Sequence, residues 1–237
     1  MHHRLILFDN DGTLNTQFSC WRYTQGPLGI FEKGGRKLLE EHLAGMMDYE
    51  EFAARTVSLW KGLKIKDFEN IIDAITLRDG ALAVLNYFKS HGYKVCSVSS
   101  GFDLWKSVFE RKHGFIFDDF LANHLVTDGN GLLTGKIEML VTDDTAEKNK
   151  GEHLKKLVRK YEIPIKDTIM IGDGLGDINA FRVAGLSFAI APTHDEVTQA
   201  VDYVIEDGNL ESILKYFNNG VYIANSRVKV VENDNYA

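Results

Sequence analysis

The chain has 237 residues, 44% apolar and 26% charged, as in an ordinary globular protein with room for one large domain or a core with a smaller insertion. A formal charge of −7 and a pI near 5.6 argue against nucleic acid or an acidic membrane surface as a partner. The only two cysteines, Cys20 and Cys96, lie far apart and outside any C-x-x-C pattern, which excludes a disulfide framework or zinc site and favours a reducing compartment.

The chain enters its first strand almost at once, leaving no room for a signal peptide. No apolar run reaches the roughly 18 residues of a membrane span, so a cytoplasmic protein is expected. The run Leu5 to Phe8 predicts a short strand buried on both faces, as in a parallel sheet. It leads into Asp9, Asp11 and Gly12. Residues i and i+2 of a strand share a face, so these two carboxylates are expected to converge at the strand's C-terminal end, where open α/β sheets bind ligands. Two close carboxylates ask for a cation between them.

From Asn15 to about Thr76 no parallel-sheet strand is legible. Amphipathic helices are expected around Gly35–Leu43, Tyr49–Leu59 and Ile65–Ile75, with Trp21, Phe52, Leu59 and Trp60 supplying their apolar faces. A helical block here suggests a cap over the first strand's end. From Asp79 the pattern becomes regular α/β alternation. A helix ends at Gly92, a buried strand spans Tyr93–Val98, and Ser99-Ser100-Gly101 leads into a helix over Asp103–Lys112. Asp128-Gly129-Asn130-Gly131 between apolar runs signals a hairpin. A helix over Ala146–Tyr161, a strand over Thr168–Ile171, the turn Gly172 to Asp177 and a helix to Ala184 come next. A strand over Ser187–Ala191, a short helix and strand, and a helix over Leu210–Phe217 complete the core. The tail from Asn218 has a candidate strand at Val228–Val231.

Four polar clusters follow strands or open helices: Asp9 with Asp11, Ser99, Lys150, and Asp173 with Asp177. Brought to one sheet edge they combine four carboxylates, a hydroxyl and an ammonium group, which metal plus phosphate would balance. Ser99, with the N–H groups of Ser100 and Gly101 at a helix N-terminus, offers donors to phosphate oxygens. Taken singly, Ser99-Ser100-Gly101 is equally a plain N-cap, Lys150 a solvated face residue, and Asp177 a helix cap. Gly172-x-Gly174-x-x-Asp177 begins like a dinucleotide fingerprint, but its third glycine is missing and it follows a late strand.

In order, Asp9-x-Asp11-Gly12-Thr13, Ser99 at a strand end, Lys150-Gly151-Glu152-x-Leu154 and Gly172-Asp173-Gly174-x-x-Asp177 resemble the four motifs of the haloacid dehalogenase superfamily. The likeness runs to about Phe217. Val98-Ser99-Ser100-Gly101-Phe102 resembles the Ser-Gly-Gly-Phe loop of the phosphoserine phosphatase branch, with Ser100 replacing a glycine. The resemblance implies a Rossmann-like doubly wound parallel sheet, with a catalytic core over 1–14 and 77–217, a helical cap over 15–76 and a tail over 218–237. It implies a Mg²⁺-dependent phosphatase in which Asp9 is the nucleophile and Asp11 the acid and base. Ser99, Ser100, Gly101 and Lys150 would bind phosphate. Asp9, the Asp11 backbone carbonyl and Asp173 would hold the metal, oriented by Asp177. The implied partner is a small phosphorylated metabolite, as in serine biosynthesis, and the implied assembly a monomer or homodimer.

Two cap positions depart from that branch. Its amine-binding Glu, nine positions after the nucleophile, is Phe18 here. Its carboxylate-binding Arg corresponds to Thr56, with Arg55 one step earlier, and one step turns a helix face by about 100°. Phosphoserine is the leading substrate, and another small phosphate ester is the alternative. A phosphoacceptor receiver module also places Asp, Ser or Thr, and Lys around Mg²⁺, but it is about half this length and lacks both a cap and the second acid.

Overall fold

The computed structural model describes residues 4–143 and 145–223. Its central strand is β1 (Leu5–Phe8), whose four apolar side chains are all fully buried. β1 pairs in parallel with β2 (Lys94–Phe102) and β5 (Thr168–Gly172). With β3 (Asp119–Thr127), β4 (Leu133–Glu138), β6 (Leu186–Ile190) and β7 (Tyr203–Ile205), these form one sheet in the order β4-β3-β2-β1-β5-β6-β7. All neighbours are parallel except β3 and β4, the expected hairpin. Its turn is held by Asp128, whose Oδ1 accepts the backbone N–H groups of Asn130 and Leu132 at 2.8 and 3.0 Å.

The two-residue period of β1 divides the interior. Ile6 and Phe8 pack with Val95, Ile169 and Ile171 beneath α5 (Ala81–Ser90) and α6 (Leu104–His113). Leu5 and Leu7 face the other way, onto Leu154 and Leu157 of α7 (Lys150–Tyr161) and Ala180 and Phe181 of α8 (Ile178–Phe181). Burial on both faces makes this the doubly wound α/β sheet expected. α9 (Asp195–Ala200) precedes β7.

A third apolar cluster belongs to α1 (Cys20–Gln25), α2 (Arg36–Leu43), α3 (Tyr49–Ser58) and α4 (Ile65–Asp73). Trp21 is its hub, with ring centroids 4.7 Å from Phe102 and 5.7 Å from Trp60. Leu125 and Leu133 of the hairpin belong to the same cluster, so the helices rest on β2's end and on the hairpin. Ile72 and Ile75, in contrast, join the core of the sheet. Among the described residues no helix is long and apolar enough to cross a membrane.

Several boundaries differ from the sequence reading. α1 has too few residues for its period to be legible. β2 runs on to Phe102 rather than stopping at Val98, because Phe102 pairs with Asn123 of β3 after a shift in register and buries against Trp21. α7 begins at Lys150 rather than Ala146, since the Asn149 side chain accepts the Glu152 N–H at 3.1 Å and caps the helix there. The helix expected to reach Ala184 ends at Phe181, and the one over Leu210–Phe217 is a 3₁₀ helix, Leu210–Tyr216. Leu59 lies just beyond α3 and is 41% exposed, so it is not part of the buried apolar face. The candidate strand at Val228–Val231 lies outside the described residues.

Candidate active site

Phe8 and Ile171 are register partners on adjacent parallel strands, so the residues just beyond them emerge side by side. The Asp9 N–H donates to the Ile171 carbonyl at 2.9 Å. Asp9, Asp173 and Asp177 are all buried, and each offers an oxygen within 4.8 Å of the others. Two glycines permit this closeness. Gly12 has φ of +79°, and a Cβ there would lie 2.2 Å from Asp173 Oδ2. A Cβ on Gly172 would come within 2.4 Å of the Asp177 carboxylate.

Lys150, the first residue of α7, places Nζ 2.7 Å from both Asp9 Oδ1 and Asp177 Oδ1. The other Asp177 oxygen accepts the N–H groups of Asp173 and Gly174, each at 3.0 Å. Asp177 thus fixes the turn with one oxygen and Lys150 with the other. Thr13 Oγ1 donates to Asp173 Oδ1 at 2.8 Å.

Three buried carboxylates therefore share one ammonium group. Burial, and then Asp177, lift Asp9 well above the ordinary carboxylate range against the pull of Lys150. The same two causes push Asp173 up to about 7, opposed by the Thr13 hydroxyl, Lys150 and Arg78. Burial disfavours the Lys150 charge, but Asp177, Asp9 and Asp143 outweigh it and hold its pKa well above the usual value. The cluster is short of positive charge and built of oxygen donors, the set that suits a hard divalent cation.

Asp11 stands apart from this group. β1 ends at Phe8, so Asp11 belongs to the turn that follows, and its carboxylate lines the same cavity as that of Asp9. Its Oδ1 accepts from the Asn10 and Asn15 side-chain amides, each at 3.1 Å. Its Oδ2 accepts the backbone N–H of Cys20 at 2.8 Å.

Ser99 is buried within β2, and its Oγ accepts the Gly101 N–H at 3.0 Å. Ser100 and Gly101 also lie in the strand, so the expectation that their N–H groups open a helix is not met; α6 starts at Leu104. The Ser100 hydroxyl donates to Asp143 Oδ2 at 3.3 Å, and its carbonyl accepts the Tyr49 hydroxyl at 2.6 Å. A cavity of about 430 Å³ opens above these groups. Its floor includes Asp9, Asp11, Ser99, Lys150 and Asp173, and Trp21, Leu39, Tyr49 and Phe52 of the helical layer form part of its wall.

The family model described as haloacid dehalogenase-like hydrolase matches residues 6–182, and a second with that description matches residues 144–231. The phosphoserine phosphatase of Methanocaldococcus jannaschii is 35% identical over 213 residues, spanning 90% of this chain and 97% of the relative. That of Lactococcus lactis is 30% identical over 176 residues, spanning 73% and 77%. A solved structure of a phospho-aspartyl intermediate analogue of phosphoserine phosphatase superposes with a TM-score of 0.77 at 33% identity, covering 92% of this chain and all of the other. The chain belongs to the haloacid dehalogenase-like hydrolases. Within them it is phosphoserine phosphatase-like.

Phe18, Arg55 and Thr56, the three positions expected to read the substrate, are not brought together. Phe18 lines the cavity and is 68% exposed. Thr56 is fully buried on the inner face of α3, with Tyr49, Phe52 and Ala53. Arg55 points the other way, pairing with Glu51 at 3.3 Å and Glu41 at 3.9 Å beside a separate cleft. Neither Arg55 nor Thr56 lines the cavity above Asp9. Three residues escaped the sequence reading. Arg78 donates to the carbonyls of Gly12, Thr13 and Gly208 and so braces the first turn. Tyr49 and Asp143 flank Ser100. No local pattern marks any of them, because each acts on a partner remote in the chain.

Proposed function

We propose that the protein hydrolyses phosphate monoesters through an aspartyl-phosphate formed on Asp9. An Asp9 oxygen attacks phosphorus in line, forming an acyl phosphate as the ester P–O bond breaks. Asp11 gives its proton to the departing alkoxide and then takes one from the water that attacks the phosphoenzyme. That second attack breaks the Asp9–phosphorus bond, releasing inorganic phosphate and restoring both acids. Ser99 and Lys150 hold the phosphoryl oxygens, with Ser100 and Gly101 beside them. Residues 15–76 act as the cap over a core of 1–14 and 77–217.

Mg²⁺ fits the acidic group, with Asp9, Asp173 and the Asp11 backbone carbonyl to hold it and Asp177 beside them; when bound it would offset phosphoryl charge and fix its orientation. The observation that carries the reading is the grouping of Asp9, Asp173 and Asp177 around Lys150 at the end of adjacent parallel strands. L-phosphoserine, the substrate in the names of the relatives, is the reference ester, and the substrate is a small phosphorylated metabolite.

Purified protein is expected to hydrolyse p-nitrophenyl phosphate with Mg²⁺ and to stop when the metal is chelated. Asp9→Asn should abolish turnover while circular dichroism stays unchanged. Full activity in chelator, or in Asp9→Asn, overturns the proposal.

A further inference from the structure

Resting on that reading of the reaction, we infer that the leaving alcohol this site selects is uncharged and apolar, aliphatic or aromatic, rather than the zwitterionic amino acid of phosphoserine. The cavity sorts its charge by depth. Among the described residues its carboxylates are Asp9, Asp11, Asp143, Asp173 and Asp177, all from the loops at the sheet edge, and its one lysine is Lys150, held between two of them. The wall that residues 18–52 raise above this floor carries no carboxylate, lysine or arginine.

Apolar side chains take their place, and they are largely uncovered at the mouth. Phe18 is 68% exposed, Leu43 76% and Leu175 48%, and all three line the cavity. Exposed apolar groups converging on one concave site mark a surface that gains by being covered. Two of the wall's polar side chains, Tyr49 and His42, already have partners. The Tyr49 hydroxyl donates to the Ser100 carbonyl and accepts from Trp21 Nε1 at 2.9 Å. His42 Nδ1 lies 3.1 Å from the Met47 carbonyl, and the ring stacks on Phe52 with centroids 4.9 Å apart.

A substrate ammonium or carboxylate group enclosed here would lose water against a wall that holds no carboxylate, lysine or arginine to pair with it, whereas an alkyl or phenyl group would bury itself and the rim together. The basic side chain nearest in sequence to the family's carboxylate reader, Arg55, is paired with acids at another cleft.

The test compares kcat/KM for methyl, n-hexyl and benzyl phosphate with that for L-phosphoserine. These are alkyl esters, so leaving-group reactivity does not favour the apolar members. The n-hexyl and benzyl esters should exceed both methyl phosphate and L-phosphoserine by about tenfold or more, as expected when a hydrophobic pocket reads several carbons. In Phe18→Ser/Leu43→Ser the n-hexyl to methyl ratio of kcat/KM should fall to within about threefold, since the apolar contact is then removed. Calorimetric binding of n-hexylphosphonate against methylphosphonate should show the same gain and loss without turnover. L-phosphoserine preferred over every apolar ester, or an n-hexyl advantage untouched in the double variant, would overturn the inference and leave the phosphatase reading standing. Failure to hydrolyse even p-nitrophenyl phosphate would overturn that reading instead, and equal affinity for the two phosphonates would then overturn this one on its own evidence.

Discussion

The carboxylate of Asp11 accepts the backbone N–H of Cys20, the first residue of α1, at 2.8 Å. One side chain thus ties the turn after the central strand to the first helix of the layer above it. The proposed acid and base is positioned by the element that also carries Trp21, the hub of that layer's core. Whatever shifts α1 shifts the proton donor.

Asp11→Asn should therefore do two separable things. As acid and base, its loss should slow both phosphorylation and dephosphorylation by roughly 10²–10⁴-fold. Aryl phosphates need little protonation of their leaving group and should lose less than alkyl phosphates in the first step. All three hydrogen bonds at Asp11 come from N–H donors, so an amide must turn its own NH₂ toward one of them, at a cost of about 1–3 kcal/mol. Single-turnover kinetics on both ester classes, with a thermal melt, check these outcomes. Equal first-step losses would reduce Asp11 to a positioning residue.

Removing metal should make stability depend on pH around neutrality. Asp173 is pushed up to about 7 by burial first and Asp177 second. The folded protein therefore holds a proton that the unfolded chain gives up near the ordinary carboxylate value. For a raised pKa, this stability is present at low pH and is lost as pH rises through about 7. Asp9 shifts in the same direction. Chelated protein should melt lower at pH 8 than at pH 6.5, and Mg²⁺ should restore more at pH 8. His153, whose charged form burial disfavours, acts in the opposite sense, but at lower pH. Melting curves that coincide at the two pH values in chelator would contradict the charge deficit at the cluster.

Gly101→Ala tests the seam between α1 and β2. An added Cβ would lie 2.6 Å from Cys20 Sγ, 3.1 Å from Ser99 Oγ and 3.4 Å from Asp11 Oδ2. Both Gly101 and Cys20 are buried, so the extra carbon must displace the helix, at about 1–3 kcal/mol. Truncating the opposing side chain in Cys20→Ala/Gly101→Ala should recover part of the melting temperature. Strict additivity of the two changes in a double-mutant cycle would show that the seam is looser than the geometry states.

Much of this site was legible along the chain. Asp9, Asp173 and Lys150 occupy the ends or starts of elements whose periodicity is strong, and a parallel sheet must gather such ends at one edge. The haloacid dehalogenase motifs added their order. Less legible was where each side chain turns once there. Asp11 lies in the turn after β1, where Asn10, Asn15 and Cys20 fix its carboxylate. Ser100 and Gly101 were expected at a helix N-terminus, but the pairing of Phe102 with Asn123 held them in β2. There a nonlocal contact outweighed a local pattern.

Periodicity and turn chemistry, which act over a few residues, marked the α/β pattern and the hairpin, and the resemblance to the haloacid dehalogenase motifs added the doubly wound sheet. What stands above the acid cluster was settled by packing between distant residues. That packing left Phe18 and Leu43 at the mouth, buried Thr56, and paired Arg55 with Glu41 and Glu51 on another face. Those outcomes depend on how α1, α2 and α3 rotate as they pack around Trp21. Helix rotation is set by the sum of many apolar contacts among distant residues, and a one-residue difference turns a side chain through about 100°.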